Sequence, residues 1–390
     1  MTLSLAYISQ GKLFLKYQDA PVQEVESQFG LTVQERKLRM ERNKAWKPRG
    51  LQEMMLPPGL KAQLQQQPES VVGVEITSLC QGDTEQLLYA LNAGDVGGIF
   101  LFQPKRQRED RLFHTADFQV GHLNYDRDRK LIACTTNYQT GISNIAVMQI
   151  DAPRPREVTE GDSIDLAPRW VLGKEKALVY QSAGIGRDHQ GYVSDRAPFT
   201  IEKLDFEKQD VLTLASDPKS DLLSPQLDAD GWLYYIRRPY SARQRSFNFL
   251  QFLKEIFLIP VRLLHAIFQW LNFFSQIYTG KPLMNAVTKQ KIEQKQLQAW
   301  GEWVTPEMLR DRNLDEPDAP SLVPKTWQLV RQRTQGVPEN LAEGVLSYDL
   351  AADGTVIYSN GSAIYMLSPN GSRERVLVGN WIEGVALLQP

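Results

Sequence analysis

The sequence predicts an all-β fold made of repeated four-stranded units, and three observations support this prediction. Outside two insertions, short apolar runs alternate with tight polar turns along the 390-residue chain. Asp-Gly and Asn-Gly pairs stand at several turns, where they readily adopt the positive φ angles that two-residue hairpins need. The same succession of strands and turns recurs about every 40 residues. Each unit is therefore expected to be an antiparallel meander.

The repeated units can be placed along the chain by their turns. The last and clearest unit covers residues 345–378 and has an Asn-Gly turn at residues 360–361. A fifth unit begins at Leu222, breaks off after Ile236, and is expected to resume near residues 325–331. The other complete units lie at residues 71–115, 117–159 and 166–215.

The two ends of the chain supply one further unit. Residues 381–388 have the pattern of one strand with no partner after it, while residues 5–26 have the pattern of three strands with none before them. Paired with each other they complete a sixth unit, and radial closure protects strand edges that would otherwise promote aggregation. The predicted architecture is a six-bladed β-propeller, one domain over residues 1–390, closed by pairing of its N- and C-terminal strands.

Four segments of these units resemble the repeats of the TolB-like β-propeller family. They are LAPRWVLGKEKALVYQS, SPQLDADGWLYYI, NYQTGISNIAVMQID and SYDLAADGTVIYSNGSAIYMLSPNGSRERVL. The family repeat runs from a strand through a Ser-Pro-Asp-Gly-like turn to a strand that ends in Tyr, and then to a strand that contains Ile-Tyr. The resemblance implies the propeller fold outside the inserts, but it implies no particular activity. The chain also lacks the Gly-x-Ser-x-Gly elbow of the hydrolase domains that accompany related propellers.

Two inserts interrupt the repeats. The first, residues 31–68, lies between blades 1 and 2 and contains a helix predicted over residues 32–46, capped at Thr32 or its neighbour. Its basic stretch, residues 36–49, is interpreted as a solvated helix face, with lipid or nucleic-acid phosphates as open alternatives. The second insert, residues 241–324, lies within blade 5.

The second insert begins with a long apolar segment. Residues 247–278 are predicted to form an amphipathic helix, followed by a break at 279–282, a polar helix over 284–303 and an acidic, proline-rich loop. On a helix that advances about 100° per residue, the polar side chains of the segment fall within an arc of roughly 120°, and the remaining surface is apolar. Such a surface left in water would aggregate. The insert is therefore predicted to bind a membrane or a partner protein.

The predicted membrane- or partner-binding residues share this segment and the few positions before it. They are Arg243, Arg245, Phe249, Phe252, Leu253, Lys254, Ile256, Ile259, Arg262, Leu263, Leu264, Ile267, Trp270, Leu271, Phe274 and Ile277. An arginine near the bilayer centre costs at least roughly 2.5–3.5 kcal/mol, so we expect the helix to lie in the membrane plane rather than to span it. A single crossing would also separate the blades and prevent closure of the ring. A shallow hairpin turning at Pro260 and packing on the chain's own surface are the alternatives.

The composition limits the classes of function. A net charge of −2 gives no overall basic field, so a nucleic-acid partner is not expected. Cys80 and Cys134 lack the spacing of a metal site and are expected to be buried free thiols in a reducing compartment. The first residues lack the features of a signal peptide, so a cytoplasmic location is expected. No catalytic residue, metal ligand or cofactor is predicted, and Asp228 and Asp230 are assigned to a hairpin turn rather than to calcium.

These observations favour a non-enzymatic scaffold or assembly protein. The propeller would attach peripherally to the inner face of a membrane through the amphipathic helix, without spanning it, and would bind protein partners. One alternative is a subunit whose apolar helix is buried in a larger membrane-protein complex. The other is a propeller enzyme that acts at the central tunnel, where loops from all blades converge.

Overall fold

A computed structural model describes most of the chain outside the two inserts. The described residues are 4–17, 20–45, 73–94, 96–173, 175–187, 193–240, 298–299, 302–303, 316, 318–333 and 336–388. The chain divides into two compact units. The first comprises Met1–Leu31, Gly73–Ala242 and Gln296–Pro390, and the second comprises Thr32–Val72 and Arg243–Lys295.

Most of the described residues form antiparallel strands, and all of these strands except one short pair fall into six groups, termed sheets 1 to 6. Sheet 1 contains β1 (Ser4–Ser9), β2 (Lys12–Tyr17), β3 (Gln23–Val25) and β27 (Ile382–Leu388). Sheet 2 contains β4 (Val74–Gln81), β5 (Leu87–Ala93), β6 (Val96–Gln103) and β7 (Arg108–Thr115). Sheet 3 contains β8 (Gln119–Asp126), β9 (Leu131–Asn137), β10 (Ser143–Gln149) and β11 (Arg156–Glu157).

The remaining three sheets follow in chain order. Sheet 4 contains β12 (Ser163–Trp170), β13 (Ala177–Arg187), β14 (Val193–Arg196), β15 (Thr200–Asp205) and β16 (Asp210–Ala215). Sheet 5 contains β17 (Ser220–Leu227), β18 (Trp232–Pro239), β21 (Gln328–Arg333) and β22 (Glu339–Glu343). Sheet 6 contains β23 (Ser347–Leu350), β24 (Val356–Ser359), β25 (Ala363–Leu367) and β26 (Arg373–Val378). The predicted all-β class is confirmed.

Within the sheets the strands pair largely in chain order, with three departures. In sheet 4, β14 and β15 both pair with β13. In sheet 1, β27 pairs antiparallel with β1, from Ser4 opposite Leu388 to Ser9 opposite Ile382. Sheets 3 and 4 are joined into one larger sheet by a single parallel bridge between Ser143 and Ile164. In each sheet, one strand supplies most of that sheet's part of the walls of two cavities described below, and it is termed the leading strand. The leading strands are β27, β4, β8, β12, β17 and β23.

The turn at residues 228–231 shows how the sequence produces these hairpins. The Asp228 carboxylate accepts hydrogen bonds from the backbone N–H groups of Asp230 at 3.0 Å and Trp232 at 2.8 Å. Gly231 has a φ of 81°, and glycine adopts this conformation at little energetic cost because it has no Cβ. Asp228 is thus used by the turn itself, as the sequence predicts.

Apolar side chains fill the spaces between neighbouring sheets. The two predicted free thiols, Cys80 and Cys134, are confirmed as buried and belong to one cluster with residues of sheets 2 and 3. Its larger members include Leu88, Ile99 and Phe113. Neighbouring sheets 2 and 3 therefore bury apolar residues against each other, as expected for stacked antiparallel sheets.

Helix α1 (Gln28–Ala45) begins four residues before the predicted start at Thr32. The Ser27 hydroxyl accepts a hydrogen bond from the Gly30 N–H at 3.1 Å and so caps the first turn. The Glu109 carboxylate of β7 accepts two more, from the N–H groups of Gln28 at 3.0 Å and Phe29 at 3.1 Å. A carboxylate at a helix N-terminus is favourable because it meets unpaired donors and the positive end of the helix dipole.

The predicted polar helix over residues 284–303 is wrong at its C-terminal end. Residues there form two short paired strands, β19 (Gln298–Ala299) and β20 (Glu302–Trp303). Gly301 stands between them in the sequence, and glycine favours a two-residue hairpin connection over a continuing helix. The rest of that predicted helix lies outside the described residues.

Candidate functional site

The predicted binding residues of the second insert, from Arg243 to Ile277, all lie outside the described residues. The same holds for the predicted amphipathic helix, the following break and most of the acidic loop. No helix in the described part of the chain is long and apolar enough to cross a membrane. The structure does describe both junctions at which the insert joins sheet 5.

The N-terminal junction is held by a buried group of ions. Asp221 is fully buried and accepts two hydrogen bonds from Arg196, both at 2.8 Å, and one from Arg238 Nε at 3.0 Å. The Phe199 N–H donates a fourth at 3.0 Å. Arg238 is 1% exposed, and its Cζ lies 5.1 Å from the centroid of the Trp327 ring. Every buried charge in this group therefore faces an opposite charge.

The pKa of Asp221 reflects this compensation. Burial would raise it, but the Arg196 hydrogen bond and the charges of Arg238 and Arg196 outweigh burial, so the pKa lies below its usual value. Arg238 is the second-last residue of β18, and the insert follows directly. The chain thus leaves sheet 5 from a fixed position.

The C-terminal junction is fastened to sheet 6. The Glu316 carboxylate accepts hydrogen bonds from Tyr365 Oη at 2.9 Å and from Arg373 and Arg375, each at 3.2 Å. We term Glu316 and residues 318–327 the return segment.

The return segment then packs against one end of sheet 6, at the turn between β24 and β25. Asn360 Nδ2 donates to the Ala319 carbonyl at 3.1 Å, and the Leu322 N–H donates to the Asn360 carbonyl at 2.9 Å. Val323 and Trp327 are buried together with Leu346. Both ends of the insert are therefore attached to well-packed parts of sheets 5 and 6.

The leading strands line a cavity of about 410 Å³, termed cavity A. All six of them contribute to its wall. Its polar lining residues include Ser78, His122, Arg169, Ser224 and Tyr348. A second cavity of about 330 Å³, termed cavity B, is lined by other residues of the same strands and by Arg169, which lines both. Arg169 therefore lies where the two cavities meet.

Irregular backbone recurs at equivalent places in four leading strands. The pairing register shifts within β4, β8, β12 and β17, which marks a β-bulge in each. In three of these bulges a residue other than glycine has a left-handed φ, namely His122 at 49°, Ala167 at 53° and Ser224 at 54°. Each costs roughly 1–2 kcal/mol, which the surrounding packing offsets. Bulges redirect side chains, and here the bulged residues line cavity A.

Hydrogen bonds connect neighbouring leading strands around the cavities. The Leu123 N–H donates to Ser78 Oγ at 2.7 Å, which joins β8 to β4. The Trp170 N–H donates to Asn124 Oδ1 at 2.7 Å, which joins β12 to β8. Tyr348 Oη donates to the Ser224 carbonyl at 2.7 Å, which joins β23 to β17.

Arg169 forms an ion pair with Asp349. Its Nη1 lies 3.4 Å from Asp349 Oδ1, and the side chains are 19% and 13% exposed. Asp349 Oδ2 accepts a hydrogen bond from the Leu387 N–H at 2.9 Å. Burial raises the pKa of Asp349 above its usual value, although the charge of Arg169 opposes the increase.

Two further titratable groups on the cavity walls, His122 and Cys80, are neutral near pH 7. Burial, assisted by the charge of Arg169, lowers the pKa of His122 to about 4. Burial raises the pKa of the Cys80 thiol, which lines cavity B, to about 12. Cys80 is therefore protonated and a poor nucleophile. Within the described ranges, no group of three or more His, Cys, Asp and Glu side chains could hold a metal ion.

The cavities between the leading strands are not among the sites that the sequence predicts. A usable signal was present, because Arg169 and Asp349 are single charged residues that interrupt the apolar pattern of predicted strands. Charges in such positions need a partner, but the sequence does not show that the partner lies in another sheet.

Comparison with known proteins supports the fold. No protein-family model and no curated protein matches the chain. Among solved structures, TolB from Acinetobacter baumannii is similar, with a TM-score of 0.52, 11% identity and coverage of 99% of this chain. This chain spans 66% of the length of that TolB chain. A chain in a nidogen/laminin complex gives a TM-score of 0.52 at 7% identity, covering 99% of this chain and 98% of that one. The chain therefore has the fold of the TolB-like β-propellers.

Proposed function

We propose that this chain is a non-enzymatic scaffold or assembly protein. It is a six-bladed β-propeller that attaches peripherally to the inner, cytoplasmic face of a membrane through its blade-5 insert and binds protein partners. The observation that carries the proposal is the position of the two junctions of the insert.

Six blades and a closed ring are supported by the arrangement of the leading strands. β4 lies next to β8, β8 next to β12, β12 next to β17, β23 next to β27, and β27 next to β4. The Tyr348–Ser224 hydrogen bond links β17 to β23, which completes the circle. Pairing of β1 with β27 then joins the first and last strands within one blade.

Attachment without spanning is supported by the geometry of sheet 5. The insert connects β18 to β21, which are adjacent antiparallel strands with Arg237 opposite Gln328. The chain therefore leaves and rejoins the sheet at the same end. A segment with both ends on one side of a membrane cannot cross it an odd number of times. An amphipathic helix lying in the interface satisfies this condition and accounts for the polar arc in the sequence.

Flotation on phosphatidylcholine vesicles tests the attachment. The triple variant Phe252→Asp, Leu263→Asp, Trp270→Asp removes three apolar side chains that each contribute roughly 1.5–3 kcal/mol when buried. We expect the wild-type chain to float and the variant to lose binding by about a hundredfold or more. The matched control is Gln269→Asp, Asn272→Asp, Gln276→Asp, which adds the same charge to the predicted polar arc and should float like the wild type.

Equal flotation of the wild type and the apolar-face variant would rule out this mode of attachment. Far-UV circular dichroism of each protein shows whether a loss of binding reflects unfolding. Failure of the wild type to float, combined with stable co-purification with integral membrane proteins in mild detergent, would instead favour a subunit of a larger complex.

A further inference from the structure

We propose that cavity B binds a small oxyanion, phosphate or carboxylate, through Arg169 and Arg127. The inference rests on the hydrogen-bonding groups of the cavity wall and is independent of membrane attachment and of any partner protein. The cavity volume of about 330 Å³ lies within the usual range for small-molecule sites.

Two arginines on the wall of cavity B have spare hydrogen-bonding capacity. Arg127 Nε donates to the Gly82 carbonyl at 2.9 Å, but its Nη2 is buried and has no acceptor among the described residues. Arg169 makes one hydrogen bond to a described residue, the 3.4 Å contact with Asp349, although a guanidinium group has five donors.

Two of the three carboxylates on the same wall, Asp126 and Asp349, already accept hydrogen bonds. Asp126 accepts from Arg129 Nη1 at 2.5 Å and from the Arg129 N–H at 3.0 Å. Asp349 accepts from Arg169 and from the Leu387 N–H. Asp128 is exposed. Arg127 and Arg169 therefore keep donors that Asp126 and Asp349 do not occupy.

Buried donors without acceptors are unfavourable, and a ligand that supplies oxygen acceptors removes this cost. Guanidinium groups match the planar pair of oxygens in a carboxylate and the oxygens of a phosphate, and both form charge-assisted hydrogen bonds. A neutral oxygen acceptor would form weaker hydrogen bonds with these guanidinium groups than an anion does, and a cationic ligand would be repelled by their charge. An oxyanion is thus the ligand class that complements the wall.

Isothermal titration with inorganic phosphate and, separately, with citrate tests the proposal at constant ionic strength set by chloride. We expect saturable binding of at least one of the two anions by the wild-type chain. Arg127→Gln and Arg169→Gln should each weaken that binding tenfold or more. Arg154→Gln is the matched control, because Arg154 is 62% exposed, pairs with Asp117 and does not line the cavity. It should bind like the wild type.

Two controls show whether weaker binding reflects a lost binding group or an unfolded protein. Arg127→Gln leaves the Arg169–Asp349 pair intact, and thermal unfolding followed by circular dichroism verifies that each variant is folded. Binding of phosphate alone or of citrate alone supports the site and identifies the ligand chemistry. Absence of saturable binding of both anions overturns the proposal, and so does unchanged binding by folded Arg127→Gln and Arg169→Gln proteins.

Discussion

His122, Arg169 and Asp349 belong to three different sheets, and the fold brings them to the walls of shared cavities. Residues that act within one hairpin could be predicted from the sequence, as Asp228 was, because their partners lie two to four positions away. The roles of Arg169 and Asp349 could not, because the atoms that pair are 180 residues apart. Local patterns do not contain that information.

At this scale we predict that His122 makes stability dependent on pH. Its pKa is about 4 in the folded chain and about 6.5 when exposed, so the unfolded state binds the proton first as the pH falls. The contribution of neutral His122 to the free energy of unfolding is therefore fully present above pH 6.5. It decreases by about 2–3 kcal/mol as the pH falls towards 4.

Urea unfolding of wild type and His122→Gln at pH 7, 6, 5 and 4 measures this contribution. The variant should show a shallower loss of unfolding free energy over that range. His114→Gln removes an exposed imidazole and is the matched control. Parallel curves for wild type and His122→Gln would contradict the prediction.

Strands and hairpins could be predicted well as elements, because apolar alternation and Asn-Gly or Asp-Gly turns specify them locally. The start of helix α1 could not be placed correctly. Its first N–H groups are bound by Glu109, about 80 residues further along the chain. The packing of the return segment on sheet 6 could not be predicted either. It depends on how the shapes of two surfaces fit together, and the sequence does not show that these surfaces are in contact.

The contact between the return segment and sheet 6 can be tested at Gly361. A Cβ there would lie 2.7 Å from Leu322 Cβ, and the backbone φ is +92°. Gly371 has a similar φ of +85° but nothing within 4 Å of its Cβ position. Gly371→Ala should therefore cost only the backbone strain of roughly 1–2 kcal/mol, and Gly361→Ala should cost roughly 1–3 kcal/mol more.

Chemical denaturation of the two alanine variants measures this difference. Because the backbone strain is nearly matched, the difference reports displacement of the return segment. Equal unfolding free energies of the two variants would show that the return segment can be displaced without a loss of stability. We would then conclude that the C-terminal junction of the insert is weakly held.

At the scale of the whole molecule, the repeated units indicated the all-β class and the propeller-like fold. The terminal strands could be matched because each end had an incomplete unit. The insert between β18 and β21 could be recognised because its apolar pattern differs from that of a strand. Its second half was less predictable, since short polar segments favour helix and hairpin about equally.

We predict that a chain ending before Ile382 loses cooperative folding. It would lack the buried side chains of Ile382, Val385 and Leu387, which pack with Leu5 and other apolar residues. At about 1.5–3 kcal/mol each, their loss approaches the total stability of a typical domain, about 5–15 kcal/mol.

Thermal unfolding and binding of a hydrophobic dye measure the effect of this truncation. The control is a chain that ends after Leu388 and so retains all of β27. It should unfold like the full-length protein, whereas the shorter chain should bind dye and show no sharp transition. An unchanged melting temperature for the shorter chain would contradict the prediction.

Pairing of β1 with β27 also has a consequence for biosynthesis. The inner partner of β1 is translated 373 or more residues after it, which takes roughly 20–80 s at 5–20 residues per second. Throughout that time Leu5, Ala6, Tyr7 and Ile8 lack the strand that covers them in the finished molecule. The nascent chain is therefore expected to need a chaperone at its N-terminal strand until the ribosome releases β27.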